Sequence, residues 1–336
     1  MIKIVAFLIV GTALVWAGSE WLESSSVGIS DYYNIPPIVR GSVITAFGSS
    51  FPEFSSIMIA TLIHGELELG ISIVIGSAIF NVLVIPGLAG IKSDGGLNVD
   101  REMVSREVGL YALVVLMTIV FFYLSNYISN NSLDISSNTV LSSELAVVLV
   151  LSYGLYILYQ WKTTQDKESE AEVSESFSIY KSWGKILVSL VLIGVGVEAL
   201  VRAVIDLGTV LDTPSFFWGL IIVAGSSSLP DAFVSIKQAD DDNDSASVAN
   251  VMGSNIFDLL VVLGTGVLLS SGVTVNLLAI TPILAFLLIS TLVVMAFIRT
   301  GDTVSDKESY ALLIIYSLFI VWTLLEAFGY IGLVPI

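Results

Sequence analysis

The chain carries two copies of one unusual motif, in which an acidic residue follows small residues and proline inside a long apolar stretch. The first copy reads Ala46-Phe-Gly-Ser-Ser-Phe-Pro-Glu53, and the second, 178 residues later, reads Ala224-Gly-Ser-Ser-Ser-Leu-Pro-Asp231. A matching element follows each copy after 23 and 22 residues: Gly76-Ser-Ala-Ile-Phe-Asn81 and Gly253-Ser-Asn-Ile-Phe-Asp258. A carboxylate inside hydrocarbon is costly and normally marks an ion or substrate pathway. The duplication therefore predicts a pathway built from both halves of the chain.

The composition places these motifs in a lipid bilayer. Hydrophobic residues make up 55% of the 336 residues and charged residues only 13%, and the mean hydropathy is +0.91. A soluble protein of this length has far more polar surface. About 20 apolar residues are needed for one span, and ten such segments fit the sequence. They lie at roughly 2–24, 36–63, 68–91, 106–126, 140–161, 183–205, 215–238, 245–270, 275–298 and 309–334.

The first apolar segment is predicted to be a retained helix, because it continues past signal-peptide length without a small-residue cleavage site. The chain has no cysteine, so disulfides and thiolate metal sites are excluded, and cysteine use says nothing about the redox compartment.

Basic residues are distributed unevenly between the two sides that ten spans define. Only Lys3 and Arg202 belong to the side that contains both termini. The other side has Lys92, Arg101, Arg106, Lys162, Lys167, Lys181, Lys185, Lys237, Arg299 and Lys307, with Arg40 near it. Because cytoplasmic loops are enriched in lysine and arginine, both termini are expected outside, in what we expect to be a prokaryotic cell membrane.

The longest polar interruption divides the chain into two halves of five spans. We predict a first five-helix repeat over 1–161, an acidic cytoplasmic linker over 162–182 and a second five-helix repeat over 183–336. Because five is odd, equivalent features of the halves must face opposite sides of the membrane, as in the inverted repeats of many secondary transporters. A second acidic cluster, Asp240-Asp-Asp-Asn-Asp244, is interpreted as a solvated cytoplasmic loop, with regulatory calcium binding as the alternative.

Spacing within the motifs predicts that hydroxyl and carboxyl or amide groups share helix faces. The four pairs, each four residues apart, are Ser49 and Glu53, Ser77 and Asn81, Ser227 and Asp231, and Ser254 and Asp258. Side chains at this spacing lie on one face of a helix. Nearby prolines and glycines can break the helices and free carbonyl groups as further ligands. Oxygen ligands suit hard cations such as Ca2+ and Na+, whereas a single histidine and no cysteine serve zinc poorly.

In these motifs and in its five-plus-five organisation the chain resembles the sodium/calcium exchangers of the calcium/cation antiporter superfamily. The likeness covers the whole chain in architecture and about 45 residues per repeat in detailed pattern. It implies an all-α integral membrane protein whose ten helices form two inverted-topology five-helix repeats, with broken helices at a central ion site. It also implies exchange of Na+ for Ca2+ by alternating access, without a cofactor.

The resemblance also assigns roles to individual residues. It places Glu53 and Asp231 at the calcium site, together with Ser49 and Ser227. Asn81 and Asp258 take the middle position. The two sodium sites it implies are the Ala46 carbonyl, Ser49, Ser77 and Asp231 on one side, and the Ala224 carbonyl, Ser227, Ser254 and Glu53 on the other.

Three departures from the family pattern concern ion selectivity. Asp231 stands where many sodium/calcium exchangers carry Glu. In this respect the chain resembles the potassium-dependent branch. Ser49 and Ser227 stand where Thr is common, and Ser226 replaces a glycine of the motif. A potassium-dependent sodium/calcium exchanger and a calcium/proton exchanger of the same fold therefore remain alternatives.

Other functional classes fit less well. Intramembrane aspartyl proteolysis uses two buried aspartates that share a proton, but Asp231 follows proline and Asp258 follows phenylalanine rather than standing in Tyr-Asp and Gly-x-Gly-Asp contexts. We therefore expect a transporter and not an enzyme. A passive cation channel is disfavoured by the inverted repeat. The expected partners are the two transported ions and the lipid bilayer, without nucleic acid, and the protein is expected to function as a monomer.

Overall fold

The computed structural model describes the chain except residues 34–43, 45, 94–95, 136–137, 164–177, 241–243, 271, 301–302 and 335–336. Arg40, Lys167, most of the acidic linker and the centre of the acidic cluster at 240–244 therefore lie outside the described residues.

The described chain is almost entirely helical. We number the α-helices in chain order and name two π-helical segments separately. The helices are α1 (Ile2–Tyr32), α2 (Ala46–Ser49), α3 (Phe51–Leu62), α4 (Leu67–Lys92), α5 (Arg101–Asn130), α6 (Ser143–Thr163), α7 (Ile179–Leu211), α8 (Ser215–Trp218), π1 (Gly219–Val223), α9 (Ala224–Asp240), α10 (Asp244–Phe257), π2 (Asp258–Val262), α11 (Leu263–Leu269), α12 (Leu277–Thr300) and α13 (Asp306–Ala327).

Nine helical runs in the described part of the chain are long and apolar enough to cross a membrane. The tenth predicted span, 36–63, is represented by α2 and the 12-residue helix α3. This agrees with an all-α integral membrane protein of nine to ten membrane-length helices.

Several helices extend beyond the predicted apolar segments. Helix α5 begins five residues before the predicted start at 106, because the side chain of Asp100 caps it by accepting hydrogen bonds from the backbone N–H groups of Glu102 and Met103. Helix α7 runs from Ile179 to Leu211 instead of 183–205. Hydropathy reports the length that crosses hydrocarbon, whereas capping fixes where a helix begins.

Helix α4 occupies the centre of the helical bundle. It contacts α3, α9, α10, α12 and α13, and almost all of its apolar segment is buried. A helix that is apolar on every side belongs in the interior, so the two serines and the asparagine of α4 face protein rather than lipid.

Helices α1 and α7 form a closely packed pair at one side of this bundle. At their crossing, a Cβ atom on Gly11 would lie 2.8 Å from the carbonyl oxygen of Gly196, and a Cβ on Gly196 would lie 2.8 Å from that of Gly11. Small residues let membrane helices approach to this distance.

Two short antiparallel ribbons join loops that are distant in sequence. Strand β1 (Leu97–Asn98) pairs with β4 (Thr303–Val304), and β2 (Thr139–Val140) pairs with β3 (Thr274–Val275). Each ribbon therefore links a loop of the first half to a loop of the second half.

Candidate functional site

The carboxylate of Glu53 is held by serines from both halves of the chain. The hydroxyl of Ser77 donates to Oε1 of Glu53 at 3.0 Å, and the hydroxyl of Ser228 lies 3.5 Å from the same oxygen. Ser77 and Ser228 also contact each other at 2.6 Å. Glu53 is only 1% exposed. Helices α3, α4 and α9 thus meet at one buried carboxylate.

Asp231 is bound by the amide side chain of Asn81, which in turn contacts a second amide, Asn255. Nδ2 of Asn81 lies 3.4 Å from Oδ2 of Asp231 and 3.0 Å from Oδ1 of Asn255. Nδ2 of Asn255 in turn donates to the backbone carbonyl of Ala78 at 3.3 Å. The second acid is therefore connected to α4 as the first one is, but through amides instead of hydroxyls.

The remaining predicted serines pair with backbone carbonyls in a repeated way. Ser49 donates to the carbonyl of Ala46 at 3.3 Å, and its counterpart Ser227 donates to the carbonyl of Ala224 at 3.1 Å. Ser49 also lies 3.1 Å from the hydroxyl of Ser254. The two carbonyls that the sequence analysis singled out thus carry matching hydroxyl partners.

Asp258 is completely buried at the first position of π2. Among the described residues, neither of its carboxyl oxygens has a hydrogen-bond partner. The same holds for Oε2 of Glu53, Oδ1 of Asn81 and the hydroxyl of Ser50. Buried polar atoms without a partner are costly, so this group of oxygens is suited to a ligand that satisfies them.

The two motif prolines act differently in the two copies. Helix α2 ends at Ser49, Ser50 lies at the boundary, and Pro52 falls in the first turn of α3, where the missing N–H of proline is tolerated. Helix α9 instead continues through Pro230 from Ala224 to Asp240, directly after π1. The helix interruption near the first motif thus has no counterpart at Pro230.

Glu53 gains support from its position in α3. It lies in the first turn of this helix, where the partial positive charge of the helix N-terminus stabilises an anion. Asp231 stands near the middle of α9 and has no such support.

Within the described part of the chain, no group of three histidine or acidic side chains has the arrangement of a metal site. The Nε2 atom of His64 pairs with Glu198 at 3.0 Å, outside the central cluster.

Sequence reasoning missed three polar residues of this cluster: Ser50, Ser228 and Asn255. Ser50 and Ser228 are equivalent positions of the duplicated motif, which was a usable signal. Asn255 stands where the first copy has Ala78, so comparing the copies could not reveal it.

Comparison with known proteins identifies the family. The family model described as sodium/calcium exchanger protein matches residues 3–162 and 181–325. The chain belongs to the sodium/calcium exchanger family. This confirms the resemblance drawn from the duplicated motifs, and it makes the protein a member of a transporter family.

Individual relatives match over most of their length. An uncharacterized membrane protein of Methanocaldococcus jannaschii is 27% identical over 257 residues, 76% of this chain and 78% of the relative. The sodium/calcium exchanger MaX1 of Methanosarcina acetivorans is 25% identical over 347 residues, 94% of this chain and 96% of the relative. The solved structure of the sodium-calcium exchanger NCX_Mj superposes with a TM-score of 0.65 at 25% identity, covering 96% of this chain and 98% of that one.

Proposed function

We propose that this protein is a secondary active antiporter that exchanges Na+ for Ca2+ across the membrane by alternating access. The observation that carries the proposal is the buried cluster in which Glu53 and Asp231, one from each half, converge on the central helix α4. Family membership and the fold shared with NCX_Mj support it. We expect a prokaryotic cell membrane and a functional monomer.

The charge of the cluster suits a divalent cation. Glu53 and Asp231 supply two negative charges, which balance one Ca2+. Ca2+ accepts six to eight oxygen ligands in flexible geometry, and Ser49 and Ser227 complete the proposed calcium site.

The proposed sodium sites lie on either side of the calcium site. They use the carbonyls that already accept hydrogen bonds from serine in the two motifs. Asn81 and Asp258 occupy the middle. The two sets are the Ala46 carbonyl, Ser49, Ser77 and Asp231, and the Ala224 carbonyl, Ser227, Ser254 and Glu53.

We propose further that residues 1–161 and 183–336 are inverted repeats separated by the linker at 162–182. The loop ribbons support this arrangement. Strands β1 and β3 lie in equivalent loops of the two halves, and so do β2 and β4. If the halves are related by symmetry, a pairing of β1 with β4 therefore requires an equivalent pairing of β3 with β2. Both pairings are present, and each joins loops that ten spans place on one side of the membrane.

This topology has both termini on one side and the linker on the other, and we propose that the termini lie outside. The uneven distribution of lysine and arginine supports the same orientation. A site formed at the interface of two such repeats can open to either side in turn.

Reconstituted liposomes test the proposed exchange. Purified protein should take up calcium when an outward sodium gradient is imposed, and uptake should stop when the gradient is collapsed. A proton gradient of the same size should not replace sodium. Calcium uptake driven by protons alone would favour the calcium/proton exchanger, and no calcium transport under any cation gradient would contradict the proposal.

A potassium-dependent exchanger is the second candidate, and Asp258 is the observation that favours it. This third buried carboxyl group has no partner among the described residues, so a monovalent cation could balance it when Ca2+ is bound. A proton could do the same.

A further inference from the structure

A chain of hydrogen bonds with a fixed direction starts at a backbone carbonyl in the middle of α4. The carbonyl oxygen of Ala78 accepts a hydrogen bond from Nδ2 of Asn255 at 3.3 Å. Because a carbonyl can only accept, Asn255 must turn its NH2 group toward Ala78. Its Oδ1 consequently accepts from Nδ2 of Asn81 at 3.0 Å.

This contact fixes the orientation of the Asn81 amide. The NH2 group of Asn81 has two hydrogens, and its two acceptors are Oδ1 of Asn255 and Oδ2 of Asp231. The Asn81 Oδ1 is left without a partner among the described residues. A flipped amide would place this oxygen against two other acceptors.

Burial makes the orientation consequential. Asn81 and Asn255 are both completely buried, so bulk water does not replace a lost hydrogen bond, and an unmatched polar group there is costly. The first repeat has Ala78 where the second has Asn255. The hydrogen bonds therefore cross between the repeats without a symmetric counterpart: Asn255 donates to Ala78 of the first repeat, and Asn81 donates back to Asn255 of the second.

We propose that Asn255 is a positioning residue for ion binding, which acts by orienting the Asn81 amide. In this orientation the Asn81 nitrogen holds the Asp231 carboxylate, and the Asn81 oxygen is available as a cation ligand. The inference rests on the proposed function, because the ion at issue is the Ca2+ assigned to Asp231 there.

Two substitutions test the proposal. Asn255→Leu keeps the approximate size of the side chain and removes both hydrogen bonds, and Asn255→Ala removes the same bonds without branched bulk. In sodium-driven uptake, both should raise the calcium KM about 3- to 10-fold, because the hydrogen bond that orients the Asn81 amide is lost. The maximal rate should change much less. An unchanged KM in either variant, or equal losses in KM and rate, would overturn the proposal.

A control separates positioning from general packing. The hydroxyl of Thr118 is buried and donates to the carbonyl of Val114 in its own helix at 3.0 Å. Thr118→Val removes one buried hydrogen bond outside the cluster and should leave the calcium KM unchanged. A KM shift as large as that of Asn255→Leu would overturn the specific role of Asn255.

A double-mutant cycle tests whether Asn255 acts through Asn81. Asn255→Leu should have no further effect on KM in the background of Asn81→Ala, whereas additive effects would show that the two residues act independently.

If the wild type does not exchange sodium for calcium at all, the proposed function is wrong. The same variants are then compared by the Na+ concentration that gives half of the cation-induced rise in thermal midpoint. This concentration should shift if Asn255 orients Asn81, and stay unchanged if it does not.

Discussion

The hydroxyl of Ser77 on α4 lies 3.0 Å from Oε1 of Glu53 on α3. Because Ser77 also contacts Ser228 of the second half, one oxygen of this carboxylate is held by both halves of the chain. The other oxygen, Oε2, has no partner among the described residues. One side of the carboxylate is thus organised by protein and the other is free for a cation.

Neutralising either proposed calcium ligand should abolish exchange while the protein stays folded. Glu53→Gln or Asp231→Asn leaves one negative charge against a divalent ion in a buried site, where each charge is worth several kcal/mol. We expect uptake to fall by at least about 100-fold. The thermal midpoint without cations should stay equal or rise, because a buried charge has been removed.

A matched control is Glu144→Gln. Glu144 lies near the start of α6, where its Oε2 accepts a hydrogen bond from Ser142 at 2.8 Å. The same chemical change there should leave uptake intact. Normal calcium flux in Glu53→Gln or Asp231→Asn would instead contradict the site assignment.

The sequence predicted a shared helix face for each serine and its acidic or amide partner, but Ser49 and Glu53 stand on different helices, because α2 ends at Ser49 and α3 begins at Phe51. Ser77 and Asn81 could be assigned to one face of α4 because helical spacing is a local property. Which residues of α9 and α10 face α4 depends on how the helices cross, which no local pattern encodes. This is why Asn255 was missed although it stands inside a quoted motif.

The different effects of the two motif prolines on their helices could not be predicted from local sequence either. Proline can start a helix or interrupt one, and the sequence contexts of Pro52 and Pro230 are nearly the same. The contacts with surrounding helices, which local sequence does not encode, decide that α3 begins at Phe51, beside the first proline, and that α9 continues through the second. The start of α5 was predicted too late because its capping residue Asp100 is polar and lies outside the apolar segment, whereas α13 ends at Ala327, before the predicted end at 334.

Exchange should respond to membrane potential. Three Na+ would balance Glu53, Asp231 and an ionised Asp258, whereas one Ca2+ balances two charges, so a cycle of three for one moves one net charge. Each 100 mV then contributes about 2.3 kcal/mol to the driving force. Because three Na+ would leave the liposome for each Ca2+ that enters, sodium-driven calcium uptake should be faster when the interior is positive. It should be slower when the interior is negative. Uptake that is independent of potential would rule out this stoichiometry.

Potassium should not be required for calcium uptake. The counterpart of Asp258 in the first repeat is the neutral Asn81, so the middle of the proposed site has one unmatched ionisable group, which a proton can balance. With the voltage clamped, sodium-driven uptake should be equal in potassium-free and potassium-containing media. An absolute potassium requirement that Asp258→Asn removes would assign the protein to the potassium-dependent branch.

Equivalent glycines of the two repeats should respond differently to alanine. A Cβ atom on Gly76 would overlap the backbone carbonyl oxygen of Leu220 in π1 and lie 2.8 Å from Cβ of Ala224. Backbone cannot yield as a flexible side chain does, so Gly76→Ala should separate α4 from π1 and α9. Overpacking of this kind costs about 1–3 kcal/mol, and the displaced helices carry Ser77 and Ser227.

The equivalent glycine of the second repeat, Gly253, provides the control. The nearest atom to its added Cβ would be the hydroxyl of Tyr156 at 3.9 Å, and replacing glycine by alanine inside a helix is favourable by about 1 kcal/mol. Gly76→Ala should therefore lower both the thermal midpoint and calcium uptake, and Gly253→Ala should lower neither. Equal effects of the two substitutions would contradict the close packing of α4 against π1.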